Sequence, residues 1–302
     1  MIAIVLILFT ALFYPGIIIR VKSISSGRKG PTVIQPLKDI WVLLHKGSVF
    51  SPTTSIIFQI APALTLATIL TAILMIPFGP RAALITFDND FVMFAYLLAL
   101  GKFFSIISAL DTGSGFAGMG ANREALYSLL IEPAFFILLA TFAAITGYTS
   151  FSQIFAHFEI ANNHYLIIIA ILSCYLLLQI AMIENSRLPV DDPKTHLELT
   201  MIHEVMILDN SGFDKALIHL GTMLKFSIYG ALIFNSLIPS TLNVWIQIPL
   251  FIVLQFCLAA IIGFMESFRA RNKMHRNTIY IFTLSAISIL AFFLVLVMNN
   301  KI

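Results

Sequence analysis

Cysteine and charge are both scarce in this chain, and the two shortages exclude many soluble and metal-containing proteins. Only two cysteines, Cys174 and Cys257, occur among 302 residues, and each is isolated inside an apolar run. A disulfide framework or an iron–sulfur cluster needs several cysteines, so we expect neither. The seven histidines lie in predicted loops or near the ends of apolar runs, which argues against a membrane haem. Charged residues make up 11% of the chain, whereas soluble domains carry roughly 25%.

Hydrophobic residues take the place of the missing charge. They make up 59% of the chain, which includes 27 phenylalanines, and the mean hydropathy is +0.95. Eight apolar runs approach the ~20 residues that a membrane-spanning helix needs. We therefore predict an all-α integral membrane protein, with about eight transmembrane helices in a single polytopic domain over residues 1–302. The predicted spans are Ile2–Ile19, Ser55–Phe78, Phe91–Leu110, Ala125–Tyr148, Tyr165–Ile183, Ala216–Ile238, Trp245–Met265 and Thr278–Met298.

The lysines and arginines are distributed unevenly between the two sides of these spans. The odd-numbered loops carry 14 of the 18 basic residues, and the even-numbered loops carry only Arg81. The positive-inside rule then places the odd loops in the cytoplasm and both termini outside, in a cell inner membrane. The net charge of +3 reflects this asymmetry and does not indicate a nucleic-acid partner.

The first loop contains a second kind of helix signal. Pro36 can open a helix in which Leu37, Ile40, Trp41 and Leu44 share one face, because they follow the i, i+3, i+4, i+7 spacing. This spacing predicts an amphipathic helix at the membrane surface. Two roles remain open for it, an anchor on anionic lipid and a contact with a partner protein.

The third loop, Asp111 to Ala121, contains four glycines in eleven residues, which predicts a tight irregular backbone path. It lacks the Gly-Lys-Ser/Thr signature of a phosphate loop, so nucleotide binding is not indicated.

The stretch from Glu184 to Gly212 is unusually acidic for this chain. It holds six of the fifteen carboxylates, and Asp214 follows directly. Carboxylates set between membrane spans are costly, and they are usually kept for ion handling or for docking a partner. Pro193 can open a helix here with Asp192 as its N-cap. The polar candidates in this loop are Arg187, Asp191, Asp192, Glu198, His203, Glu204 and Asp209.

A zinc-protease site is not indicated in this helix. His203-Glu204 begins the required pattern, but Ile207 stands where the second histidine would be. We expect no metal site on this chain.

The fourth span carries acidic residues into the membrane. Glu124, Ser128 and Glu132 follow at i, i+4 and i+8, which places them on one helix face. Glu132 lies ~12 Å beyond Glu124 along the axis, or roughly a third of the way into the bilayer. It could exchange protons along a hydrated path, or it could be a neutral carboxyl kept for packing. Pro133 follows directly and can kink the helix.

The topology places Glu132 in the same half of the membrane as other ionisable groups. Asp111, Glu124 and Glu184 fall with it toward the cytoplasm, forming a predicted acidic funnel for ions or for docking. Asp111 suits a structural turn and a proton entry equally well. Lys102, in the third span, is interpreted as snorkelling to the interface rather than as part of a buried ion pair.

Two stretches, Ala109–Pro133 and Glu184–Gly212, resemble a known family. They look like the membrane subunit shared by respiratory complex I (the NADH dehydrogenase subunit 1 family) and the membrane-bound nickel–iron hydrogenases. Within it, they are most similar to the formate hydrogenlyase and hydrogenase-4 branch. The family pattern carries onto Arg123, Glu132, Glu184, Arg187, Pro189, Asp191, Glu198, Asp209, Ser211 and Gly212.

The resemblance implies a subunit that anchors a peripheral redox arm and helps to couple electron transfer to proton or sodium movement. It implies hydrogenase large and small iron–sulfur subunits and antiporter-like membrane subunits as partners. The nickel–iron and iron–sulfur centres would lie on those partners, and this chain would bind no cofactor itself.

Departures from the family pattern argue against a quinone chamber. Quinone-using relatives have Phe-Asp after the proline and more acids beyond it, whereas Val190, Lys194 and His196 occupy these positions here. Asp209-Asn210 replaces the usual Glu-Tyr pair. The alternatives are a subunit of a quinone-reducing complex, a stand-alone secondary ion transporter and a purely structural anchor.

Overall fold

Helices dominate the computed structural model of the chain, which describes residues 1–158, 164–192 and 201–298. Within those ranges, the chain forms eleven helices and no regular strand. They are α1 (Ile2–Ser25), α2 (Gln35–Leu44), α3 (Ile56–Ile73), α4 (Asp90–Asp111), α5 (Gly115–Thr146), α6 (Phe151–His157), α7 (His164–Glu184), α8 (His203–Met206), α9 (Gly212–Leu237), α10 (Val244–Phe268) and α11 (Met274–Met298).

Eight of these helices are long and apolar enough to cross a bilayer, which confirms the predicted multi-pass membrane architecture. They are α1, α3, α4, α5, α7, α9, α10 and α11. Each coincides with one predicted span. Pro15 lies inside α1, which is continuous from Ile2 to Ser25.

Helix α9 is the centre of the bundle. It packs against α1, α3, α7 and α10, and also against the short α2. Of its most apolar window, 72% is buried inside the chain, compared with 28% for α11. Polar side chains on α9 therefore face neighbouring helices rather than lipid.

The loops divide into two groups at opposite ends of the bundle, as the predicted alternation of spans requires. At one end, Ser55 donates to Asp111 and Val49 donates to Ser211. These contacts join the first loop, the third loop and the fifth loop, which is the Glu184–Gly212 stretch between α7 and α9. At the other end, Ser150 and the Phe151 amide donate to Asp90. The assignment of the first group to the cytoplasm stays a prediction.

The prediction of a long glycine-rich loop between α4 and α5 is wrong. Only Thr112–Ser114 separate the two helices, and Gly113 makes the turn with a φ of 68°. Each glycine costs a helix about 1 kcal/mol relative to alanine, so composition alone disfavours helix here. Close packing explains the glycine instead. A Cβ on Gly120 would lie only 2.8 Å from the carbonyl oxygen of Ile202, the residue directly before α8, so only glycine lets the two segments approach this closely.

The surface helix predicted after Pro36 is confirmed as α2. Pro36 lies in its first turn, and Ile40 is buried while Trp41 is 66% exposed. The helix packs against α9 and α1, so its exposed face remains for lipid or a partner.

Candidate functional site

Lys102 lies at the centre of a buried ionic network in the bundle. Its Nζ donates to Glu124 Oε1 and, at 3.2 Å, to the backbone carbonyl of Glu184; it also lies 3.4 Å from Glu184 Oε2. The side chains of Lys102, Glu124 and Glu184 are 9%, 6% and 11% exposed. The interpretation of Lys102 as a snorkelling residue is therefore wrong. Two carboxylates reach it from α5 and α7, and pairing avoids the large cost of isolated charges in a low-dielectric interior.

A second lysine, Lys225 on α9, completes the network. Its Nζ lies 3.8 Å from Glu184 Oε2, and its side chain is 10% exposed. We call Lys102, Glu124, Glu184 and Lys225 the buried charge cluster. It contains two lysines and two carboxylates, so Glu124 and Glu184 of the predicted acidic funnel belong to a charge-balanced group. The sequence signal for Lys225 was its position inside an apolar span, where ionisable residues are rare and usually functional.

A cavity of about 50 Å³ adjoins all four members of the cluster. Asn185 and Asn210 also line it, and the side-chain oxygen of each is buried with no hydrogen-bond partner among the described residues. A buried water needs two to four polar partners and a space of at least one probe sphere, and this cavity meets both requirements for more than one water. The cavity is thus suited to a short hydrated path at the end of the bundle nearest the fifth loop.

Glu132 lies on the far side of the cluster from this cavity. It lines a smaller space of about 20 Å³ together with Lys102, Glu184 and Tyr229. Because α5 begins at Gly115, Glu132 is close to the middle of this helix. Ser128 lies one turn from both Glu124 and Glu132, and its buried hydroxyl oxygen has no hydrogen-bond partner in the described ranges. The structure thus brings Lys102, Glu124, Glu184 and Glu132 together.

Asp191 organises the fifth loop from inside. Its carboxylate accepts from the His203 amide at 3.0 Å and the Ile202 amide at 3.3 Å, and it pairs with Arg271 at 3.0 Å. Burial raises the pKa of Asp191, while the His203 amide and Arg271 oppose the increase. Since its side chain is only 2% exposed, Asp191 acts on any partner through the loop that it orders.

Arg187 pairs with Glu266 rather than with Glu184, three residues before it in the sequence. Its Nη1 lies 3.3 Å from Glu266 Oε1 on α10, and the same carboxylate lies 3.4 Å from Lys22 on α1. The guanidinium also lies over the Phe226 ring, 5.4 Å from its centroid. Sequence reasoning missed Glu266 because it falls just past the predicted end of its span. Glu266 connects the fifth loop to two transmembrane helices.

We expect Glu266→Gln to destabilise the protein by about 3 kcal/mol, because removing one partner of a buried pair leaves its cations uncompensated. Denaturant unfolding in detergent measures the change. Lys22→Met is the matched control and should cost less, since Lys22 is 23% exposed and Arg187 would still hold Glu266. Equal losses of unfolding free energy in both variants would contradict the role of Glu266 as the shared partner of Arg187 and Lys22.

His203 links the fifth loop to both the charge cluster and a second cavity. It lines the 50 Å³ cavity from α8 and is half-buried. Removal from water lowers the pKa of His203 to about 3, and the positive charges of Lys102, His219, Lys225 and Lys215 act in the same direction. The imidazole is therefore neutral at physiological pH.

This neutral histidine predicts a loss of stability in acid. The unfolded chain takes up a proton at His203 below pH 6.5, whereas the folded chain does so only near pH 3. Folded stability therefore falls as pH decreases through this window, by at most ~1.4 kcal/mol per pH unit. The stability of His203→Gln should rise relative to that of the wild type as the pH drops from 7 to 5. Thermal unfolding of both proteins at each pH measures this difference. A constant difference between the two proteins across that range would contradict the prediction.

The remaining predicted residues lie around this core. The Arg123 guanidinium donates to the Met201 carbonyl at 3.2 Å, and Asp111 accepts from Ser55 at the end of the bundle. Asp209 is exposed, whereas Asp192 and Glu204 are half-buried. Glu198 lies outside the described residues, as do Lys194, His196 and the helix predicted to begin at Pro193. No group of three metal-ligating side chains occurs in the described ranges, and the absence of a metal site from this chain stays a prediction.

A larger cavity of about 270 Å³ lies between α1, α2, α9 and the fifth loop. Its apolar lining includes Ile19, Ile40 and Phe226, and its polar lining includes Asp39, Arg187, Glu204 and His219. His203 lines this cavity as well as the smaller one, so the loop contacts both spaces.

Comparison with known proteins places this arrangement in a family. The family model described as NADH dehydrogenase matches residues 1–298. The chain belongs to the NADH dehydrogenase subunit 1 family. It is 29% identical to hydrogenase-4 component C of Escherichia coli (strain K12), over 78% of this chain and 73% of that protein. It is 28% identical to formate hydrogenlyase subunit 4 of the same organism, over 79% of this chain and 75% of that protein.

A solved structure shares the fold of this family member. A chain in the membrane-bound sulfane sulfur reductase, an archaeal respiratory membrane complex, matches with a TM-score of 0.80. The match covers 97% of this chain and 96% of the other, at 18% identity. With the family match and the hydrogenase relatives, the chain is a complex I-related membrane subunit.

Proposed function

We propose that this chain is the membrane-anchoring and ion-coupling subunit of a membrane-bound nickel–iron hydrogenase of the formate hydrogenlyase type. It links a peripheral redox arm to proton or sodium movement. The observation that carries the proposal is the buried charge cluster, because Glu184 belongs both to the cluster and to the start of the fifth loop. If the redox arm moves that loop, Glu184 can transmit the movement directly to the other ionisable groups of the cluster.

The geometry supports coupling through this loop in a specific way. Asp191 accepts a hydrogen bond from the first residue of α8, His203, and His203 lines the 50 Å³ cavity together with Lys102 and Lys225. On the other side of the cluster, Glu132 lines the next space. The 50 Å³ cavity, the buried charge cluster and Glu132 form a series of polar groups from the fifth loop to the middle of α5.

The partners and cofactors in this proposal follow from the family. The hydrogenase large and small subunits would carry the nickel–iron and iron–sulfur centres and dock on the face of the odd-numbered loops. Exposed Asp209, together with Arg123 near the start of α5 and Glu204 in α8, supplies polar groups there. Antiporter-like subunits would adjoin this chain within a cell inner membrane, with both termini on the outer side.

Affinity purification in mild detergent tests the assembly. We expect a tag on this chain to recover hydrogenase-like subunits and hydrogen evolution from reduced methyl viologen. Asp209→Lys places the opposite charge on the proposed docking surface and should reduce the recovered redox subunits several-fold. Arg81→Glu, in an even-numbered loop, is the matched control and should leave the recovery unchanged.

Recovery of the tagged chain alone, from membranes that contain the other subunits, would contradict the complex and favour a stand-alone transporter. If an active complex is recovered and neutralising Glu132 and Glu184 does not change its ion movement, the chain is a structural anchor and not an ion-coupling subunit.

One observation favours a second candidate, a quinone-reducing complex. The 270 Å³ cavity is lined by both apolar and polar side chains, which suits an amphiphilic ligand. Val190, at the position where quinone-using relatives have phenylalanine, is buried and does not line this cavity. Reduction of a short-chain quinone by the purified complex, lost in His203→Leu, would establish this candidate. No quinone reduction by a complex that evolves hydrogen would eliminate it.

A further inference from the structure

Lys225 differs from Lys102 in how firmly its ammonium group is held. Lys102 donates to Glu124 and to the Glu184 carbonyl, and it also pairs with the Glu184 carboxylate. For Lys225, the structure shows one ionic contact among the described residues, with Glu184 Oε2 at 3.8 Å. Its side chain is only 10% exposed and lines the 50 Å³ cavity. The ammonium of Lys225 is thus weakly compensated and next to space for water.

Glu184 lies between the two lysines. The same oxygen, Oε2, is 3.4 Å from Lys102 Nζ and 3.8 Å from Lys225 Nζ. Of these two neighbours, Lys102 is committed to Glu124, so Lys225 is the one that can lose its proton at the lower electrostatic cost. A proton donated by Lys225 would arrive on a carboxylate that also lines the space containing Glu132.

The lining of the cavity also bears on which ion can pass. Both ammonium groups form part of its wall, and both carboxylates are already paired with them. Because the cluster is charge-balanced, a sodium ion in the cavity would find no net negative charge to compensate for the loss of its water shell in a low-dielectric site. A proton avoids this cost, because it can travel by converting one ammonium group to a neutral amine.

We propose that Lys225 is the proton-exchanging group between the hydrated cavity and Glu184, and that the ion handled at this cluster is the proton rather than sodium. This inference rests on the proposed ion-coupling function and specifies its ion. In the transfer step, the N–H bond of the Lys225 ammonium breaks and an O–H bond forms on Glu184. This leaves a neutral amine and a carboxylic acid.

Two further proton transfers restore Lys225 and Glu184. The acid passes its proton to the Glu132 carboxylate, and the Lys225 amine takes a new proton that enters from bulk solvent and is relayed by water in the cavity. Glu132 returns to its carboxylate form when it releases its proton toward the other side of the membrane. No electrons move in any of these steps. Lys102, Glu124 and His203 line the same cavity and set the electrostatic environment of the transfer.

Lys225→Arg separates proton exchange from a structural role. An arginine keeps the positive charge beside Glu184 but does not release its proton in a protein. If Lys225 only stabilises the bundle, arginine should restore function; if it exchanges protons, arginine should not. The matched control is Lys215→Met, which removes a lysine from the same helix outside the cavity lining.

The measurement uses the whole complex, purified through a tag on this chain and reconstituted in liposomes. Hydrogen evolution from reduced methyl viologen gives the turnover rate, an internal pH dye reports protons, and sodium-22 uptake reports sodium. We expect Lys225→Arg to retain hydrogen evolution and to lose at least ten-fold in proton movement. The wild type and Lys215→Met should move protons and take up no sodium-22 through turnover.

Proton movement at the wild-type rate in Lys225→Arg would overturn the role of Lys225, and turnover-driven sodium-22 uptake would overturn the ion assignment. Failure of the proposed function has a different signature, in which neutralising Glu184 and Glu132 also leaves ion movement unchanged. A coupling loss in Glu184→Gln with none in Lys225→Arg would reject this inference and leave the proposed function standing.

Discussion

Lys102→Met should destabilise the protein by about 3–5 kcal/mol, because it leaves the buried carboxylates of Glu124 and Glu184 with too little compensating charge. Glu124 is the more affected of the two, since Lys102 is its ionic partner in the structure, whereas Glu184 also has Lys225. Denaturant unfolding of the purified protein in detergent gives the free energy, and the yield of assembled complex gives an independent readout.

The double variant Lys102→Met/Glu124→Gln tests the cause of that loss. It removes one cation and one anion together and leaves the Glu184–Lys225 pair in place, so it should recover most of the lost free energy. The difference between the double variant and the sum of the single variants measures the coupling between the two side chains. A Lys102→Met protein as stable as the wild type would instead support a lysine that extends to the membrane surface.

Glu184→Gln should abolish ion movement while leaving most of the assembled complex intact. The amide keeps the shape of the side chain and can still accept hydrogen bonds from Lys102 and Lys225, but it cannot take up a proton. We expect at least a ten-fold fall in ions moved per hydrogen evolved, measured in liposomes with an internal pH dye. The neighbouring amide variant Asn185→Ala, which changes a cavity-lining group that carries no charge, should retain at least half of the wild-type ratio.

An equal loss of ion movement and hydrogen evolution in Glu184→Gln would contradict this prediction. It would mean that Glu184 supports assembly or electron transfer rather than the coupling between the redox reaction and the ion path.

The membrane architecture could be read from the sequence because hydrocarbon thickness imposes a length on every span. A run of ~20 apolar residues has few alternatives to a transmembrane helix, and all eight predicted spans were found. The surface helix α2 was equally predictable, since the spacing of Ile40 and Trp41 after Pro36 is a local signal.

The ionic partners could not be predicted, because they depend on helix packing rather than on sequence spacing. Arg187 is three residues from Glu184, yet it pairs with Glu266, which is far away in the sequence. Lys102 lies in an apolar span where snorkelling is a reasonable expectation, and only the approach of α5 and α7 turns it into a buried cation. Glycine also misled the sequence interpretation, since Gly120 serves close contact with the Ile202–Met206 segment instead of marking a loop.

The position of Glu132 along its helix was not predicted. The predicted fourth span begins at Ala125, whereas α5 begins ten residues earlier at Gly115, so Glu132 lies near the middle of the helix. Of the predicted funnel, Glu124, Glu184 and Glu132 lie close together, whereas Asp111 lies apart with Ser55, and the pairing of Lys102 with this group was not expected. Their role in ion coupling stays a prediction.

The most direct test of the central claim is the number of ions moved per hydrogen evolved by the reconstituted complex carrying Glu132→Gln. Glu132 is not one of the four paired residues of the charge cluster, so this change removes a proton-carrying group without breaking an ion pair. The account predicts that hydrogen evolution stays near the wild-type rate while ion movement falls at least ten-fold. A Glu132→Gln complex that moves as many ions per hydrogen as the wild type would contradict it.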